Sequence, residues 1–232
     1  KEAYVKLRTS LLFCMTADKE RPCSTFAVTS AKPSEGKSLT AANIAISYAM
    51  LGKRVLLVDA DMRKPTQRRL WRVRSSAGLC DFLAKISRLE LVKVTDLPLW
   101  IVCTGTIPPN PSELLGSQNM GDLLRKLATL FDFIIVDLPP VTTVVDPVAV
   151  SPNLDGMLVV VNHAYTRRQT LIQALKQLRF SGVRILGFVY NGYSRHGSGK
   201  RKSYNYKGYD YKSYDTGSYD PKNRGDRAGK AE

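Results

Sequence analysis

Residues 25–38 read TFAVTSAKPSEGKS, an apolar run that leads into a loop of small and charged residues. The last eight residues match the phosphate-binding P-loop pattern, with Ala31 in place of the usual first glycine. The pattern stands where its mechanism requires, after a predicted strand (25–30) and at the start of a predicted helix (36–50). Backbone N–H groups in such a loop curl around a phosphate, and the helix N-terminus adds positive potential. The stretch therefore predicts a nucleotide site.

Each residue type in this loop suits phosphate chemistry. Gly36 lets the backbone approach closely, Lys37 is expected to reach the β- and γ-phosphates, and Ser38 is expected to bind Mg²⁺. The predicted nucleotide-binding residues of the loop are Pro33, Ser34, Glu35, Gly36, Lys37, Ser38 and Leu39. The predicted nucleotide is ATP, with Mg²⁺ as its metal ion.

Two further apolar runs end in carboxylates. Residues 56–61 read LLVDAD, which ends in Asp59 and Asp61, and residues 133–137 read FIIVD, a Walker B pattern that ends in Asp137. Carboxyl ends of parallel strands meet at one edge of a sheet, so these carboxylates are expected beside the P-loop. One aspartate after a strand is often only a cap or turn residue. Two such strands in a chain that also has a P-loop favour a role at the nucleotide site over a role as caps or turn residues.

The rest of the body alternates short β-rich runs with helical patterns. The predicted strands are residues 25–30, 54–59, 99–103, 132–137, 156–161 and 184–190. The predicted helices are residues 2–13, 36–50, 112–130 and 168–180. Continuous apolar strands separated by helices indicate an α/β fold of the P-loop NTPase type, with a mostly parallel central sheet flanked by helices.

Composition divides the chain into three parts. Residues 1–24 are predicted to be an N-terminal helix and linker, a candidate oligomerisation element, and residues 25–192 the P-loop domain. Residues 193–232 contain hardly any aliphatic side chain, so they are expected to be disordered. The net charge of +15 favours anionic partners, or else a solvated basic surface, and charge alone does not choose between them. Four scattered cysteines and two histidines argue against a zinc site or a disulfide framework.

Several segments resemble bacterial tyrosine kinases (BY-kinases) of the capsular and exopolysaccharide type, within the MinD/ParA group of P-loop ATPases. The matching segments are PSEGKS at 33–38, VDADMRKP at 58–65, NPSELL at 110–115 and VDLPP at 136–140. The resemblance extends over nearly the whole chain. The second segment, called Walker A′, is the most specific of the four.

The resemblance implies a role for each charged group of the site. Lys37, Asp59, Asp61 and Asp137 are the predicted catalytic residues, with Asp59 accepting the proton of the incoming tyrosine hydroxyl. Ser38, Asp61 and Asp137 are the predicted metal-binding residues. Asn191, at the end of the last predicted strand, is expected to contact the adenine. The chemistry would be in-line transfer of a γ-phosphoryl group, driven by positioning and charge neutralisation.

Tyrosines cluster near the C-terminus. The resemblance implies that they are autophosphorylation sites, modified between subunits: Tyr193, Tyr204, Tyr206, Tyr209, Tyr211, Tyr214 and Tyr219. A Tyr- and Lys-rich segment is also typical of single-stranded nucleic-acid binding by stacking and charge. Beside the P-loop and its carboxylates, a nucleic-acid partner is the less favoured interpretation.

The family also implies partners and a location. These are a membrane-bound activator, a homo-oligomer and a cognate tyrosine phosphatase, at the cytoplasmic face of the plasma membrane, in control of capsule or exopolysaccharide synthesis and export. The family's oligomerisation motif is Glu-x-x-Arg-x-x-Arg. Glu2 and Arg8 fit its outer positions, whereas Val5 occupies the middle one. An amphipathic helix packed on its own domain is therefore the open alternative.

One alternative function is a non-kinase positioning ATPase of the MinD/ParA kind. Lys32, five residues before Lys37, has the spacing of that group's signature lysine and is expected either to touch phosphate or to be an exposed loop residue. The tyrosine-rich C-terminus and the lack of an apparent C-terminal amphipathic membrane helix argue against the positioning ATPase.

Overall fold

A computed structural model describes residues 2–15, 23–75 and 77–192. The chain divides into two units, residues 1–193 and residues 194–232. The described residues all belong to the first unit. The predicted disorder and the tyrosine sites of residues 193–232 lie outside the described residues.

Across the described residues, seven strands form one sheet in the order β3-β4-β2-β5-β1-β6-β7. The strands are β1 (Ser24–Ser30), β2 (Val55–Asp59), β3 (Val92–Lys93), β4 (Leu99–Val102), β5 (Phe133–Asp137), β6 (Gly156–Asn162) and β7 (Ile185–Asn191). Every pair is parallel except β3 with β4. The β2–β5 register pairs Asp59 with Asp137, so both carboxylates stand at the same edge of the sheet.

Helices cover both faces of this sheet. They are α1 (Glu2–Met15), α2 (Lys37–Ala49), α3 (Gln67–Leu70), α4 (Leu79–Leu83), α5 (Pro111–Leu115), α6 (Gln118–Leu127), α7 (Asp146–Val150) and α8 (Arg168–Phe180), with a 3₁₀ turn at Ser151–Asn153. One apolar core packs α1 and α2 against one face of the sheet. A second core packs the helices from α4 through α8 against the other face. The predicted α/β fold, a parallel sheet between layers of helices, is confirmed.

The predicted helix over residues 112–130 is wrong in one respect, because two helices occupy that range. Helix α5 ends at Leu115, and α6 begins after Ser117, whose hydroxyl accepts a hydrogen bond from the Met120 N–H at 3.3 Å. Ser117 thus satisfies an N–H group at the start of the new helix. The leucine spacing continues through the break, which is why periodicity alone missed it.

The N-terminal helix packs on α2. Its Leu11 is buried, and the Arg8 guanidinium donates to the Ser47 carbonyl at 2.6 Å. Glu2, the other predicted oligomerisation residue, pairs with Lys6 at the surface. These contacts favour the interpretation of an amphipathic helix packed on its own domain. Among the described residues, no helix has the length and apolar character to cross a membrane.

Candidate active site

The P-loop connects β1 to α2 and is closed by a side chain from the last strand. Gly36 has a φ of 91°, in the left-handed region that favours glycine. A Cβ at this position would lie 2.3 Å from the Asn191 side-chain nitrogen, which donates to the Glu35 carbonyl at 2.9 Å. Glycine is therefore required here both by the backbone and by the close approach of β7.

The loop between β6 and α8 braces the outer side of the P-loop. The buried Glu35 carboxylate accepts from the Lys32 N–H at 2.9 Å and from the Thr166 hydroxyl. The Tyr165 hydroxyl donates to the Pro33 carbonyl at 2.6 Å. Lys32 holds its ammonium 5.5 Å from the centre of the Tyr165 ring, a cation–π contact, so it is not a free loop lysine. Sequence analysis missed Tyr165 and Thr166, which belong to no phosphate-binding motif.

A cavity of about 660 Å³ opens beside this loop, within the size range of small-molecule sites. Its lining is mostly polar and consists of Lys32, His163, Ala164, Tyr165, Thr166, Arg167 and Thr170. The cavity borders the P-loop through Lys32, which gives a ligand held by the loop room to extend.

Lys37 joins two of the predicted carboxylates. Its ammonium lies 2.8 Å from an oxygen of Asp61, 3.2 Å from an oxygen of Asp137 and 3.1 Å from the Ser38 hydroxyl. Burial by itself would lower the pKa of Lys37, but the charges of Asp137 and Asp61 outweigh burial and raise it. The sheet edge thus brings the P-loop lysine together with the three predicted metal-binding residues, Ser38, Asp61 and Asp137.

Asp59 is fully buried beside this cluster. Its Oδ2 accepts from the backbone N–H groups of Thr66 at 3.0 Å and Gln67 at 2.9 Å, whereas its Oδ1 is buried without a hydrogen-bond partner in the described part of the chain. Burial, with the charge of Asp137 next in importance, raises the pKa of Asp59 to about 8. A buried acceptor atom without a donor is costly, by about 1–3 kcal/mol, and therefore marks a place for a ligand group.

The side chain of Gln67, which follows the Walker A′ segment, bonds both the P-loop and the Walker B strand. Its amide nitrogen donates to the Asp137 Oδ2 at 2.8 Å and to the Ser38 carbonyl at 2.9 Å. Its amide oxygen accepts from the Trp71 indole N–H at 3.1 Å, and this donor-only group determines which way the amide points. Gln67 follows the Walker A′ segment but belongs to no motif, so sequence analysis missed it.

A second buried carboxylate anchors the Walker A′ loop. The Arg63 guanidinium bonds both oxygens of Asp146, at 2.9 Å and 3.0 Å, and the Ser112 hydroxyl donates to the same carboxylate at 2.6 Å. Lys64 N–H also donates to Asp61 at 3.0 Å. Asp146 therefore links the Walker A′ and NPSELL segments, two motifs that the sequence could only quote separately.

The remaining predicted residues lie at the edges of the site or apart from it. Pro33, Ser34 and Leu39 form the rim of the P-loop and are exposed or half-buried. Asn191 bonds the loop itself, and its expected contact with adenine stays a prediction. Glu2 and Arg8 lie on α1 and contribute nothing to the cluster around Lys37.

The parallel sheet, the glycine-dependent loop at a helix N-terminus and the carboxylates at adjoining strand ends define a P-loop nucleotide-binding domain. Residues 26–195 match the family model described as the CobQ/CobB/MinD/ParA nucleotide binding domain. The assignment to this class therefore rests on most of the chain and not on the P-loop alone.

Comparison with known proteins narrows the class further. The chain is 36% identical over 193 residues to the tyrosine-protein kinase YwqD of Bacillus subtilis, covering 82% of this chain and 80% of the relative. It is 34% identical over 167 residues to the tyrosine-protein kinase CpsD of Streptococcus pneumoniae, covering 71% and 74%. The kinase domain of the Escherichia coli tyrosine kinase ETK superposes with a TM-score of 0.80 at 30% identity, covering 88% and 80%. The chain belongs to the bacterial tyrosine-protein kinases.

A more distant likeness concerns the fold alone. The septum site-determining protein MinD of Pyrococcus horikoshii, solved with Mg-ADP, has a TM-score of 0.64 at 21% identity, covering 75% of this chain and 72% of that one. The tyrosine kinases are more similar in both sequence and structure, so the comparisons favour a kinase over a positioning ATPase.

Proposed function

We propose that this kinase transfers the γ-phosphoryl group of ATP to tyrosines in its own C-terminal segment, between copies of the chain. The observation that carries the proposal is the buried cluster of Lys37, Asp61 and Asp137, beside which lies the Asp59 Oδ1, an atom that no described residue bonds. Positive and negative groups are gathered where phosphate charge has to be neutralised, and an acceptor atom is available for a proton.

The P-loop and its lysine would hold the nucleotide. Gly36 lets the Asn191 side chain lie against the loop backbone, and Lys37 contacts three oxygens that a polyphosphate could replace as partners. Asn191 and Glu35 keep the loop in its curled conformation, so its N–H groups need little reorganisation on binding.

The oxygen atoms of Ser38, Asp61 and Asp137 fit Mg²⁺, because hard oxygen ligands beside a phosphate site are what this ion prefers. Mg²⁺, when bound, would neutralise charge on the phosphate oxygens. Gln67 occupies the Asp137 Oδ2 and so leaves Oδ1, now paired with Lys37, as the oxygen that can serve a cation. In the same way, the Lys64 N–H bonds the Asp61 Oδ1 and leaves Oδ2, which is paired with Lys37, as the oxygen that can serve a cation.

Asp59 would receive the proton of the tyrosine hydroxyl at its Oδ1. Two backbone N–H groups hold the other oxygen, so the carboxylate presents one defined atom to the acceptor. Its raised pKa, about 8, makes the ionised Asp59 a stronger base than an ordinary aspartate, and the fraction that is ionised and able to accept the proton rises as the pH passes through 8. The proton would thus move from the phenol oxygen to Asp59 as the phosphoryl group arrives on that oxygen.

The C-terminal segment would link this chemistry to regulation. Each phosphate adds nearly two negative charges, so several of them would reverse the basic character of residues 193–232 and weaken an oligomer held by charge. A membrane-bound activator would bring the kinase to the inner membrane face, and a phosphatase would reset it. Control of capsule or exopolysaccharide synthesis and export is the corresponding cellular role.

Intact-mass spectrometry after incubation with Mg²⁺-ATP tests this proposal, beside a Lys37→Met variant. We expect successive phosphoryl additions that map to Tyr193–Tyr219 and are absent from the variant. Mixing inactive Lys37→Met chains with active ones tests transfer between copies, because the inactive chains then acquire the mass. ATP hydrolysis without protein phosphotyrosine, even with an activator's cytoplasmic segment present, would overturn the proposal.

A further inference from the structure

The segment that begins at the end of Walker A′ is strongly basic. Residues 63–74 read RKPTQRRLWRVR, with six basic side chains and no carboxylate. All six are exposed: Arg63, Lys64, Arg68, Arg69, Arg72 and Arg74. We call residues 63–74 the basic segment.

Five of the six charges have no partner in the part of the chain that the structure describes. Arg63 is the exception, since Asp146 accepts both of its hydrogen bonds. The other five side chains form no ion pair or hydrogen bond with any described residue. Their charge is therefore available to a ligand.

The basic segment begins at the atoms of the proposed chemistry. Lys64 N–H bonds Asp61, and the N–H groups of Thr66 and Gln67 bond Asp59. Arg68 follows Gln67 directly in α3 and is exposed. A tyrosine that brings its hydroxyl to Asp59 therefore brings its flanking residues close to these side chains.

The backbone gathers three of the arginines into one turn. Helix α3 ends in a Schellman motif, in which the Val73 N–H bonds the Arg68 carbonyl at 3.0 Å and the Arg72 N–H bonds the Arg69 carbonyl at 3.4 Å. Arg72 holds the left-handed position of this motif, with a φ of 53°. Glycine is the usual residue there, because a side chain is strained at positive φ. A strained arginine without a partner among the described residues points to a functional use of its charge.

The C-terminal segment carries a matching pattern. Tyr209, Tyr214 and Tyr219 are each followed directly by an aspartate, in a stretch that is otherwise basic. Given the proposed tail phosphorylation, on which this inference rests, we propose that the basic segment recognises the carboxylate immediately C-terminal to the acceptor tyrosine. Tyr209, Tyr214 and Tyr219 are then preferred over the other four tyrosines of the segment, which no acidic residue follows directly. Arg68, Arg69 and Arg72 would contact the carboxylate.

Peptide kinetics test the proposal directly. The substrate is the peptide KSYDTGS, residues 212–218, whose single acceptor is Tyr214, and its matched control carries Asp215→Asn. For the unaltered kinase we expect kcat/KM to favour the aspartate peptide by about three- to tenfold, the range of a few exposed ion pairs. Because those pairs are screened, the preference should shrink as salt is added.

Enzyme variants assign the preference to the segment. We expect Arg72→Gly and Arg68→Gln, separately and together, to bring the ratio for the two peptides toward one. Arg72→Gly relieves the positive-φ strain, so it retains the fold and cannot act by unfolding the protein. Arg179→Gln, an exposed arginine in the last turn of α8, removes the same charge and should leave the ratio unchanged.

The outcomes separate this inference from the proposed function. Equal kcat/KM for the two peptides with the unaltered kinase would overturn the inference while tyrosine phosphorylation itself stands. Phosphorylation of neither peptide, together with no gain of mass by the chain itself, would overturn the proposed function first. A ratio of one, combined with binding to anionic lipid vesicles that the arginine variants lose, would assign the basic segment to a membrane surface instead.

Discussion

Two groups of charges, which adjoin in sequence at Asp61 and Arg63, are treated in opposite ways by this fold. Lys37, Asp59, Asp61 and Asp137 are buried at the sheet edge, where each of their side-chain nitrogen and oxygen atoms except the Asp59 Oδ1 has a partner among the described residues. The basic segment, residues 63–74, lies at the surface with five charges that no described residue pairs. Burial fixes charges in one geometry, as phosphoryl transfer requires, whereas exposure leaves them free to meet a variable ligand.

The change from buried to exposed side chains occurs within α3. Gln67 is fully buried and bonds Asp137 and Ser38, while Arg68 and Arg69, next in sequence, are exposed. A four-residue helix therefore serves the buried cluster with one side chain and the surface with its neighbours. Changes to the buried cluster should therefore alter activity or stability strongly, whereas changes to the exposed arginines should leave the stability of the fold almost unchanged.

Gly36→Ala should lower tyrosine phosphorylation by about a hundredfold or more, since the loss of one preorganised donor site alone reaches that size. The added Cβ would meet the Asn191 side chain at 2.3 Å and open the loop. Gly52→Ala is the matched control, because Gly52 also has a positive φ but no atom within 4 Å of its Cβ position. Both variants should lose about 1 kcal/mol of unfolding free energy from the φ strain, yet only Gly36→Ala should lose activity. Full activity in Gly36→Ala would contradict the assignment of the nucleotide site.

Gln67→Leu should reduce the free energy of unfolding by about 2–3 kcal/mol, because it removes the amide that bonds the Asp137 Oδ2, the Ser38 carbonyl and the Trp71 indole N–H. Urea unfolding followed by Trp71 fluorescence measures the effect, in a Trp100→Phe background that leaves one tryptophan. An unchanged unfolding midpoint would show that the buried network does not depend on this amide.

Asp59→Asn should abolish phosphorylation but stabilise the fold by about 1–2 kcal/mol at pH 8–9. The asparagine oxygen can still accept from Thr66 and Gln67, while a buried charge close to Asp137 disappears. Thermal unfolding of the two proteins in the same buffer gives the comparison. A lower melting temperature in Asp59→Asn would mean that the Asp59 charge is stabilised in the fold.

Arg68→Gln should change the unfolding free energy by less than about 0.5 kcal/mol, because its exposed side chain has no ion pair with a described residue. Denaturation of Arg68→Gln beside Gln67→Leu compares an exposed residue with its buried neighbour. A loss as large as that of Gln67→Leu would place Arg68 in the buried network and remove the distinction.

Much of the site was predictable because its parts are local in sequence. The spacing of its residues identifies the P-loop. Asp59 and Asp137 each end an apolar strand, and because the carboxyl ends of parallel strands meet at one edge of a sheet, the two are expected to lie close together. Gln67, Asp146 and Thr166 carry no such signal. Their partners lie 29 to 131 residues away in the chain, and ordinary polar residues at those positions look like any surface residue.

The class of fold, the P-loop and the three carboxylates could be predicted from local sequence, because hydrophobic periodicity and motif spacing depend only on residues that are near one another in the chain. Tertiary structure decided what surrounds them: the break of the predicted 112–130 helix at Ser117, the docking of Arg8 onto α2, and the amide of Gln67 between two motifs. It also decided which charges are buried and which stay free, since burial depends on what the rest of the chain packs against each side chain. That division separates the proposed chemistry at Asp59 from the proposed recognition at Arg72.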